Sequence, residues 1–295
     1  MPDRLRCSVW NRLRGRGLRQ KYPRLTRVLG TLFPGVLTPL DCKQLDGYRL
    51  YVDRCSDALL EHGMGSGRYE PAETDFLKSV LAPGSTFLDV GANVGCFTCL
   101  ASRIVGATGK VYSFEPDRDN YRILRKNVRC NRCANTAAVR AAVSDRTGWT
   151  LLYRSEINHG HHTIYDGGEG RRAVRTRCVA LDDYLPANMR VDCMKMDVEG
   201  AELFALRGMR RLVEGSRDRI AVLSEFSPNM LSAAGCEPLE FLTLLESCGL
   251  RLWDLSGEPH AAPDMLRLVG REQYISIVAA REWPPAACRA RASFP

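Results

Sequence analysis

The sequence predicts a single α/β domain, a mostly parallel sheet with helices on both faces. Short apolar runs alternate with stretches of helical periodicity through the middle of the chain. Several of these runs stop abruptly at a glycine or an acidic residue, as at Gly91, Glu115, Asp197 and Glu225. With 295 residues and a hydrophobic content of 45%, the chain is long enough to bury one full core.

Seven apolar runs are interpreted as the strands of this sheet. In chain order they are 86–90, 110–114, 136–143, 191–196, 220–224, 250–255 and 274–279. Helices are predicted between them, with inward faces formed by Tyr121, Leu124 and Val128, by Leu203, Leu206 and Val213, and by Leu239, Leu242 and Leu245. We expect the last of these helices to begin at Pro238 and to stop at Gly249.

Three further regions depart from the alternation. Residues 148–185 are predicted to form an inserted strand pair, 149–153 and 173–180, around a polar loop. Residues 1–45 are interpreted as a basic N-terminal arm and linker, and residues 284–295 as a loose tail. The main domain is therefore predicted to span residues 46–283.

The net charge of +8 belongs to the arm. Residues 1–27 carry nine basic residues and one acid, whereas the other 268 residues carry 33 bases and 33 acids. Three interpretations of the arm remain open: an organellar transit peptide, a segment that contacts nucleic acid or an anionic membrane, and a solvated extension. Because the domain is charge-balanced, the basic pI does not argue for a nucleic-acid substrate.

The sequence favours a cytoplasmic protein. No apolar run reaches 18 residues, so no transmembrane segment is predicted. The 12 cysteines show no regular disulfide framework and are interpreted as reduced thiols. Two C-x-x-C pairs, Cys96/Cys99 and Cys130/Cys133, fall in predicted helices, where buried free thiols are expected rather than metal ligands. An organellar location is the alternative, if the arm is a transit peptide.

The most informative motif is a glycine-rich turn after the first predicted strand. In Phe-Leu-Asp-Val-Gly-Ala-Asn-Val-Gly (87–95), Gly91 permits a sharp turn and Gly95 lets the following helix pack tightly on the strand. The next strand ends at Glu115, 24 residues after Gly91, where a carboxylate can accept both hydroxyls of a ribose. This combination predicts a nucleoside-binding site.

The same turn favours S-adenosylmethionine over a dinucleotide. The dinucleotide fingerprint requires a second glycine where this chain has Asn93, whose Cβ occupies the space of the pyrophosphate. A nucleoside without phosphates fits better. Asp89, at the end of the strand, is predicted to meet the cationic amino group of the methionine tail.

Several motifs resemble the FkbM family of S-adenosylmethionine-dependent methyltransferases. They are FLDVGANVG (87–95), FEPDRDNYRILRKNV (114–128), AVSD (142–145), VALDDYL (179–185), MKMDVEGAELFALRGM (194–209) and LSEF (223–226), within a family core of about 87–255. The resemblance implies a class I methyltransferase fold, Rossmann-like, with seven strands of which the last is antiparallel. It also implies that the cofactor contacts are Asp89, Gly91, Ala92, Asn93, Gly95, Glu115, Ser144 and Asp145.

Candidate catalytic residues follow the fourth predicted strand. Strand periodicity places Cys193, Lys195 and Asp197 on one face, together with Glu199 if the strand continues. A lysine in a central strand needs an acidic partner, and Asp197, Glu199 and Glu225 are candidates. Asp197 and Glu199 are predicted as general base or acceptor-orienting groups, although a purely structural ion-pair network is the alternative. In the loop 158–163, His161 is a further candidate base, or part of a solvated polar loop.

The sequence leaves three functional classes open. The first is O-methylation of a hydroxyl on a small molecule or sugar. The second is a nucleic-acid methyltransferase anchored by the arm, although the Lys-Met-Asp-Val-Glu-Gly segment (195–200) lacks the Pro-Pro-aromatic turn common in enzymes that methylate base amino groups. The third is a non-catalytic nucleoside-binding module.

Overall fold

A computed structural model describes residues 40–53, 68–155, 160–168, 170–270 and 273–283. The basic arm 1–27, the tail 284–295 and two residues of the histidine loop, Asn158 and His159, lie outside the described residues. No helix in the described ranges is long and apolar enough to span a bilayer.

The elements alternate as the sequence predicts. In chain order they are β1 (Leu40–Leu45), β2 (Tyr48–Asp53), α1 (Pro71–Val80), β3 (Thr86–Val90), α2 (Cys96–Val105), β4 (Lys110–Phe114), α3 (Arg118–Cys130), β5 (Thr136–Val139), β6 (Ala142–Val143), β7 (Gly148–Arg154), β8 (Arg172–Val179), α4 (Leu181–Tyr184), β9 (Cys193–Met196), α5 (Glu202–Arg207), α6 (Arg210–Ser216), β10 (Ala221–Phe226), α7 (Pro228–Ala233), α8 (Pro238–Ser247), β11 (Arg251–Asp254), β12 (Pro259–His260), α9 (Ala262–Leu268) and β13 (Ile275–Ala280).

The main sheet has the topology that the resemblance implies. Its strand order is β12-β11-β13-β10-β9-β3-β4-β5. The strands β5, β4, β3, β9 and β10 are parallel, and β13 is antiparallel to both β10 and β11. The prediction of a mostly parallel sheet whose last strand is antiparallel is therefore confirmed. The sheet has one strand more than the predicted seven, because the short β12 pairs with β11 at the edge.

The central strand β9 contributes to a hydrophobic core on each face of the sheet. Met194 and Met196 pack into one core, which also contains Leu88 and Val90 of β3. Cys193 packs into the other core, which lies against α2 and includes Phe97. Period two along the strand places Lys195 on the same side as Cys193, where its Nζ lies 4.9 Å from the Phe97 ring centroid. The predicted shared face of Cys193 and Lys195 thus agrees with the structure.

An N-terminal hairpin packs on α3. The strands β1 and β2 join through Asp46 and Gly47, which both have positive φ, and pair in antiparallel register. Asn127 donates to the Tyr51 carbonyl and accepts from the Tyr51 N–H, and Asn131 does the same with Arg49. The predicted linker boundary at residue 45 cuts through this hairpin, because β1 already belongs to the folded unit.

The inserted strand pair is present and forms a second sheet. The strands β7 and β8 are antiparallel, and β6 pairs with β8 to give the order β6-β8-β7. The predicted strand 136–143 is therefore wrong as a single element. Its first half is β5, at the edge of the main sheet. Its second half is β6, which pairs with β8 and belongs to the inserted sheet.

Four smaller expectations need correction. Leu239 is 39% exposed, because Phe241 instead joins Leu242 and Leu245 on the buried face of α8. The helix containing Leu203, Leu206 and Val213 is split into α5 and α6. Glu225 lies inside β10 rather than after it. Cys130 is exposed at the end of α3, whereas Cys96, Cys99 and Cys133 are buried as expected.

Candidate functional site

A cavity of about 530 Å³ lies beyond the carboxyl ends of β3, β4, β9 and β10. This is where parallel α/β sheets bind ligands, and the volume suits a molecule of nucleoside size or larger. The lining residues are Tyr69, Glu70, Gly91, Asn93, Phe114, Glu115, Pro116, Asn120, Ala141, Ala142, Val143, Leu152, Gly160, His161, His162, Ile164, Asp197, Val198, Glu199, Ala201, Glu225, Ser227, Asn229, Met230, Gln273 and Tyr274. Its two ends differ, one apolar around Phe114 and Val143, the other acidic around Asp197.

The glycine-rich turn forms the floor between these two ends. Gly91 has φ +87°, and a Cβ at this position would overlap the backbone carbonyl oxygen of Asp197. The N–H groups of Gly91 and Ala92 both donate to the Phe114 carbonyl, which ties the turn to the end of β4. Glycine is therefore required both for the left-handed conformation and for the close approach of β9.

Gly95 serves helix packing, as expected, but against a different partner. It has φ +91° at the start of α2, and a Cβ here would lie 2.5 Å from Leu124 Cδ1. The glycine therefore brings α2 close to α3, whereas the sequence suggested close packing against the strand. Neither Ala92 nor Gly95 belongs to the cavity lining.

Glu115 lies at the end of β4 with its carboxylate fixed towards the turn. It is 5% exposed, and it accepts hydrogen bonds from the backbone N–H of Asn93 (2.9 Å) and of Asp117 (2.7 Å). Burial raises the pKa of Glu115 to about 8, although the two amide hydrogen bonds partly oppose this shift. The carboxylate thus lines the cavity at the position predicted for a ribose-binding acid.

Asn93 presents a polar atom that the protein leaves unsatisfied. Its backbone has φ +48°, which is uncommon for a residue with a Cβ. Among the described residues, its buried Oδ1 has no hydrogen-bond partner, although Asn93 lines the cavity. Buried polar atoms normally have a partner, so this acceptor suits a ligand that brings a donor.

Three more predicted cofactor contacts, Asp89, Ser144 and Asp145, lie outside the cavity lining. Asp89 is 2% exposed, and its carboxylate accepts from Thr98 Oγ1 at 2.5 Å. The Ser144 hydroxyl donates a hydrogen bond to Asp145 Oδ1. The Ser144 backbone carbonyl lies so close to Gly208 that a Cβ on residue 208 would overlap its oxygen. The cavity wall in this part of the chain is formed instead by the residues just before, 141–143.

Lys195 pairs with two of the carboxylates at the acidic end of the cavity. Its Nζ lies 2.7 Å from Asp197 Oδ2 and 4.0 Å from Glu70 Oε2, and its side chain is 8% exposed. Burial opposes the ammonium charge, but Asp197 and Glu70 outweigh burial and raise the pKa of Lys195. The predicted partner Asp197 is therefore in place, and Glu70 is a second partner that the sequence did not reveal.

Glu199 and Glu225 complete the acidic end from two different elements. β9 stops at Met196, so Glu199 reaches the cavity from a turn in which it has φ +55°, and not by continuing the strand as expected. Burial, followed by repulsion from Asp197, raises the pKa of Glu199 to about 10 and that of Glu225 to about 8. Glu202 supports this turn by accepting from the N–H groups of Val198 and Gly200, each at 3.2 Å.

Gly160, His161 and His162 of the histidine loop line the cavity. His161 lines the cavity but is exposed, and its carbonyl accepts from Arg171. His162, which the sequence did not single out, is buried: its Nδ1 accepts from the Ser155 N–H at 3.0 Å, and its Nε2 lies 3.9 Å from Asp117 Oδ2. In the described ranges, no group of three or more His, Cys, Asp or Glu residues is placed to hold a metal ion.

Comparison with known families gives the site a context. The sequence profile of the methyltransferase FkbM domain matches residues 89–252, more than half of the chain. The chain belongs to the FkbM methyltransferase family. It thus contains a methyltransferase domain whose cofactor is S-adenosylmethionine.

The family domain is also similar to individual methyltransferases. A probable cobalt-precorrin-6B C(15)-methyltransferase (decarboxylating) of Sulfurisphaera tokodaii is 39% identical over 51 residues, 17% of this chain and 27% of that protein. The FkbM methyltransferase structure from Methylobacillus flagellatus has a TM-score of 0.43 and 17% identity, over 68% of this chain and 47% of that one. A precorrin-6y C5,15-methyltransferase structure from Geobacter metallireducens has a TM-score of 0.42 and 13% identity, over 72% and 89% of the two chains. The match to the first two proteins therefore spans less than half of their length.

The cavity of this FkbM domain fits S-adenosylmethionine. Glu115 lines the cavity with a carboxyl group that could accept from a ribose, the unsatisfied Oδ1 of Asn93 needs a donor, and apolar side chains such as Phe114 and Val143 can enclose an adenine. The carboxylates at the other end are complementary to a sulfonium and an amino group. The residues that would hold the cofactor are thus Gly91, Asn93 and Glu115 of the predicted set.

Several lining residues of this domain carried no recognisable signal in the sequence. Glu70 and Tyr69 come from the start of α1, and Tyr274 comes from the segment before β13. The one local hint for Glu70 is its position immediately before Pro71, at a helix start, where it has φ +40°. His162 was detectable only as a neighbour of His161.

Proposed function

We propose that this protein is an S-adenosylmethionine-dependent O-methyltransferase that acts on a hydroxyl of a small molecule or sugar. The observation that carries the proposal is that a nucleoside-type site and a cluster of carboxylates share one cavity. The cofactor supplies an electrophilic methyl group when it is bound. The protein must then orient an acceptor and remove its proton.

Asp197 is the residue best placed to serve the acceptor. It follows β9, lines the cavity and lies at the same end as Glu70, Glu199 and Glu225. Lys195 donates to its Oδ2 at 2.7 Å, and Asp197 can accept a hydrogen bond from an acceptor hydroxyl and then its proton. Glu199 and Glu225 have raised pKa values, so they can hold a proton near neutral pH and donate hydrogen bonds to acceptor oxygens. The exposed His161 remains a second candidate base at the rim.

The charge of the cavity disfavours a polynucleotide acceptor. Four carboxylates, of Glu70, Asp197, Glu199 and Glu225, line the acidic end, and Lys195 is the cation closest to them in the described part of the chain. The described lining residues include no Lys or Arg that could neutralise phosphodiester groups, and Lys195 is already paired with Asp197. A neutral polyol is compatible with the acidic end, because carboxylates and carboxylic acids both form hydrogen bonds to hydroxyls.

The test is methyl transfer from labelled S-adenosylmethionine to panels of sugar, lipid and polyketide hydroxyls and to RNA, with mass analysis of the product. We expect a methyl ether on a non-nucleotide acceptor and no labelled RNA. Isothermal titration with the cofactor separates the two enzymatic classes from the third, a non-catalytic module. If the cofactor fails to bind, the protein is not a methyltransferase, and if it binds but only RNA is labelled, the acceptor assignment is wrong.

A further inference from the structure

The inserted hairpin of β7 and β8 has one face towards the protein and one towards solvent. On the inner face, Leu152 lines the cavity and Thr176 donates to the Pro116 carbonyl. On the outer face, Trp149 and Leu151 are 55% and 45% exposed. Their cross-strand partners are Arg177 and Arg175. We call these four residues, Trp149, Leu151, Arg175 and Arg177, the outer hairpin face.

The outer hairpin face is basic and has no compensating acid. The two strands contain no Asp or Glu, and neither Arg175 nor Arg177 forms an ion pair with a described residue. The Arg175 guanidinium lies 4.4 Å from the Trp149 ring centroid. This cation–π contact holds one cation over the indole but leaves its charge uncompensated. Exposed apolar side chains rimmed by unpaired cations mark an interaction surface for an anion.

Charge also indicates which partners do not fit this face. In an isologous dimer a surface meets its own copy, so Arg175 and Arg177 would face like charges. The chain's own residues 1–27 hold nine basic residues and one acid, so they would be repelled in the same way. A partner with regularly spaced negative charges and an apolar layer beneath them satisfies both halves of the surface.

We propose that the outer hairpin face docks on an anionic lipid surface. Trp149 suits the boundary between headgroups and acyl chains, because its ring is apolar and its N–H is polar. Leu151, which has no base-stacking surface to offer a nucleic acid, adds apolar area that lipid can bury. Arg175 and Arg177 lie on the neighbouring strand, at the level of the lipid phosphates. Because Leu152 of the same strand lines the cavity, docking holds the cavity next to the membrane.

The test is sedimentation of the full-length protein with phosphatidylserine-containing vesicles, compared with pure phosphatidylcholine vesicles. We expect binding only to the anionic vesicles. An arginine near such a surface contributes about a fivefold factor in binding, so R175Q/R177Q should weaken binding roughly 25-fold. Leu151→Ser should weaken it as well. All substituted residues are exposed, and unchanged thermal unfolding checks that the variants are folded.

Two matched controls come from the rest of the chain. Leu268 has the same 45% exposure as Leu151, and Arg251 also stacks on a tryptophan, at 5.8 Å from the Trp253 ring centroid. Leu268→Ser and Arg251→Gln should bind vesicles like the wild type. If R175Q/R177Q binds anionic vesicles as tightly as the wild type, the proposal is overturned, and any affinity for the vesicles belongs to residues 1–27. The proposal is also overturned if R175Q/R177Q loses binding to single-stranded RNA but binds vesicles like the wild type. That result would assign the surface to nucleic acid.

Discussion

Substitution of Gly91 by alanine tests whether the turn between β3 and α2 depends on the approach of β9. The residue has φ +87°, and a left-handed conformation costs a residue with a Cβ about 1–2 kcal/mol. The new Cβ would also overlap the Asp197 carbonyl oxygen, so the end of β9 must move. Overpacking of this kind costs about 1–3 kcal/mol. We therefore expect Gly91→Ala to lower the free energy of unfolding by about 2–5 kcal/mol.

Gly235→Ala is the matched control. Gly235 also has a positive φ, +75°, but a Cβ there meets nothing within 4 Å. In urea unfolding monitored by circular dichroism, this variant should lose only the conformational part of the free energy of unfolding, about 1–2 kcal/mol. Isothermal titration should show weaker S-adenosylmethionine binding for Gly91→Ala alone, because the shift displaces the turn that holds Asn93. Equal stability losses in the two variants, or equal cofactor affinities, would refute the reasoning.

Three further outcomes are expected. Glu115→Ala should weaken cofactor binding by roughly 10- to 100-fold in titration calorimetry, since two hydrogen bonds to a ribose would be lost; a change below threefold would exclude Glu115 as the ribose ligand. Asp197→Asn should lower kcat by about 10²–10⁴-fold while leaving the cofactor Kd nearly unchanged; unchanged turnover would reject the base assignment. The pKa of Glu225 is raised to about 8, so between its ordinary value and about 8 the folded protein keeps a proton that the unfolded chain has lost. The free energy of unfolding should therefore fall as pH rises through this window, and Glu225→Gln should flatten the slope in urea titrations; an identical slope would contradict the assignment.

The sheet could be predicted because its information is local. Each parallel strand is a short apolar run that ends at a turn residue, and β3 and β4 end within one residue of the expected positions. The crossing of β6 to the inserted sheet could not be predicted in this way. Its two residues carry the same apolar pattern as β5, and only their pairing with Cys178 and Val179 separates them.

The candidate site was predictable only where a motif has a fixed position relative to a strand. Gly91, Asn93, Glu115 and Asp197 each lie at or just beyond a strand end, and the structure brings all four to one cavity. Glu70 and Tyr274 were not predictable, because they come from segments without a motif and reach the cavity through tertiary packing. Glu199 arrived by an unexpected route, since its positive φ replaces the assumed strand continuation.

The walls of the cavity come from separate segments spread along the chain, beginning with Tyr69 and ending with Tyr274. Ligand binding to such a site requires almost the whole fold to be formed at once. Partial opening at either end of the domain therefore removes the binding site before the central sheet is lost. A ligand at 100 times its dissociation constant would stabilise the closed protein by about 2.7 kcal/mol. Slower amide exchange in both terminal segments, measured together on cofactor addition, would show this coupling between the first and last elements of the chain.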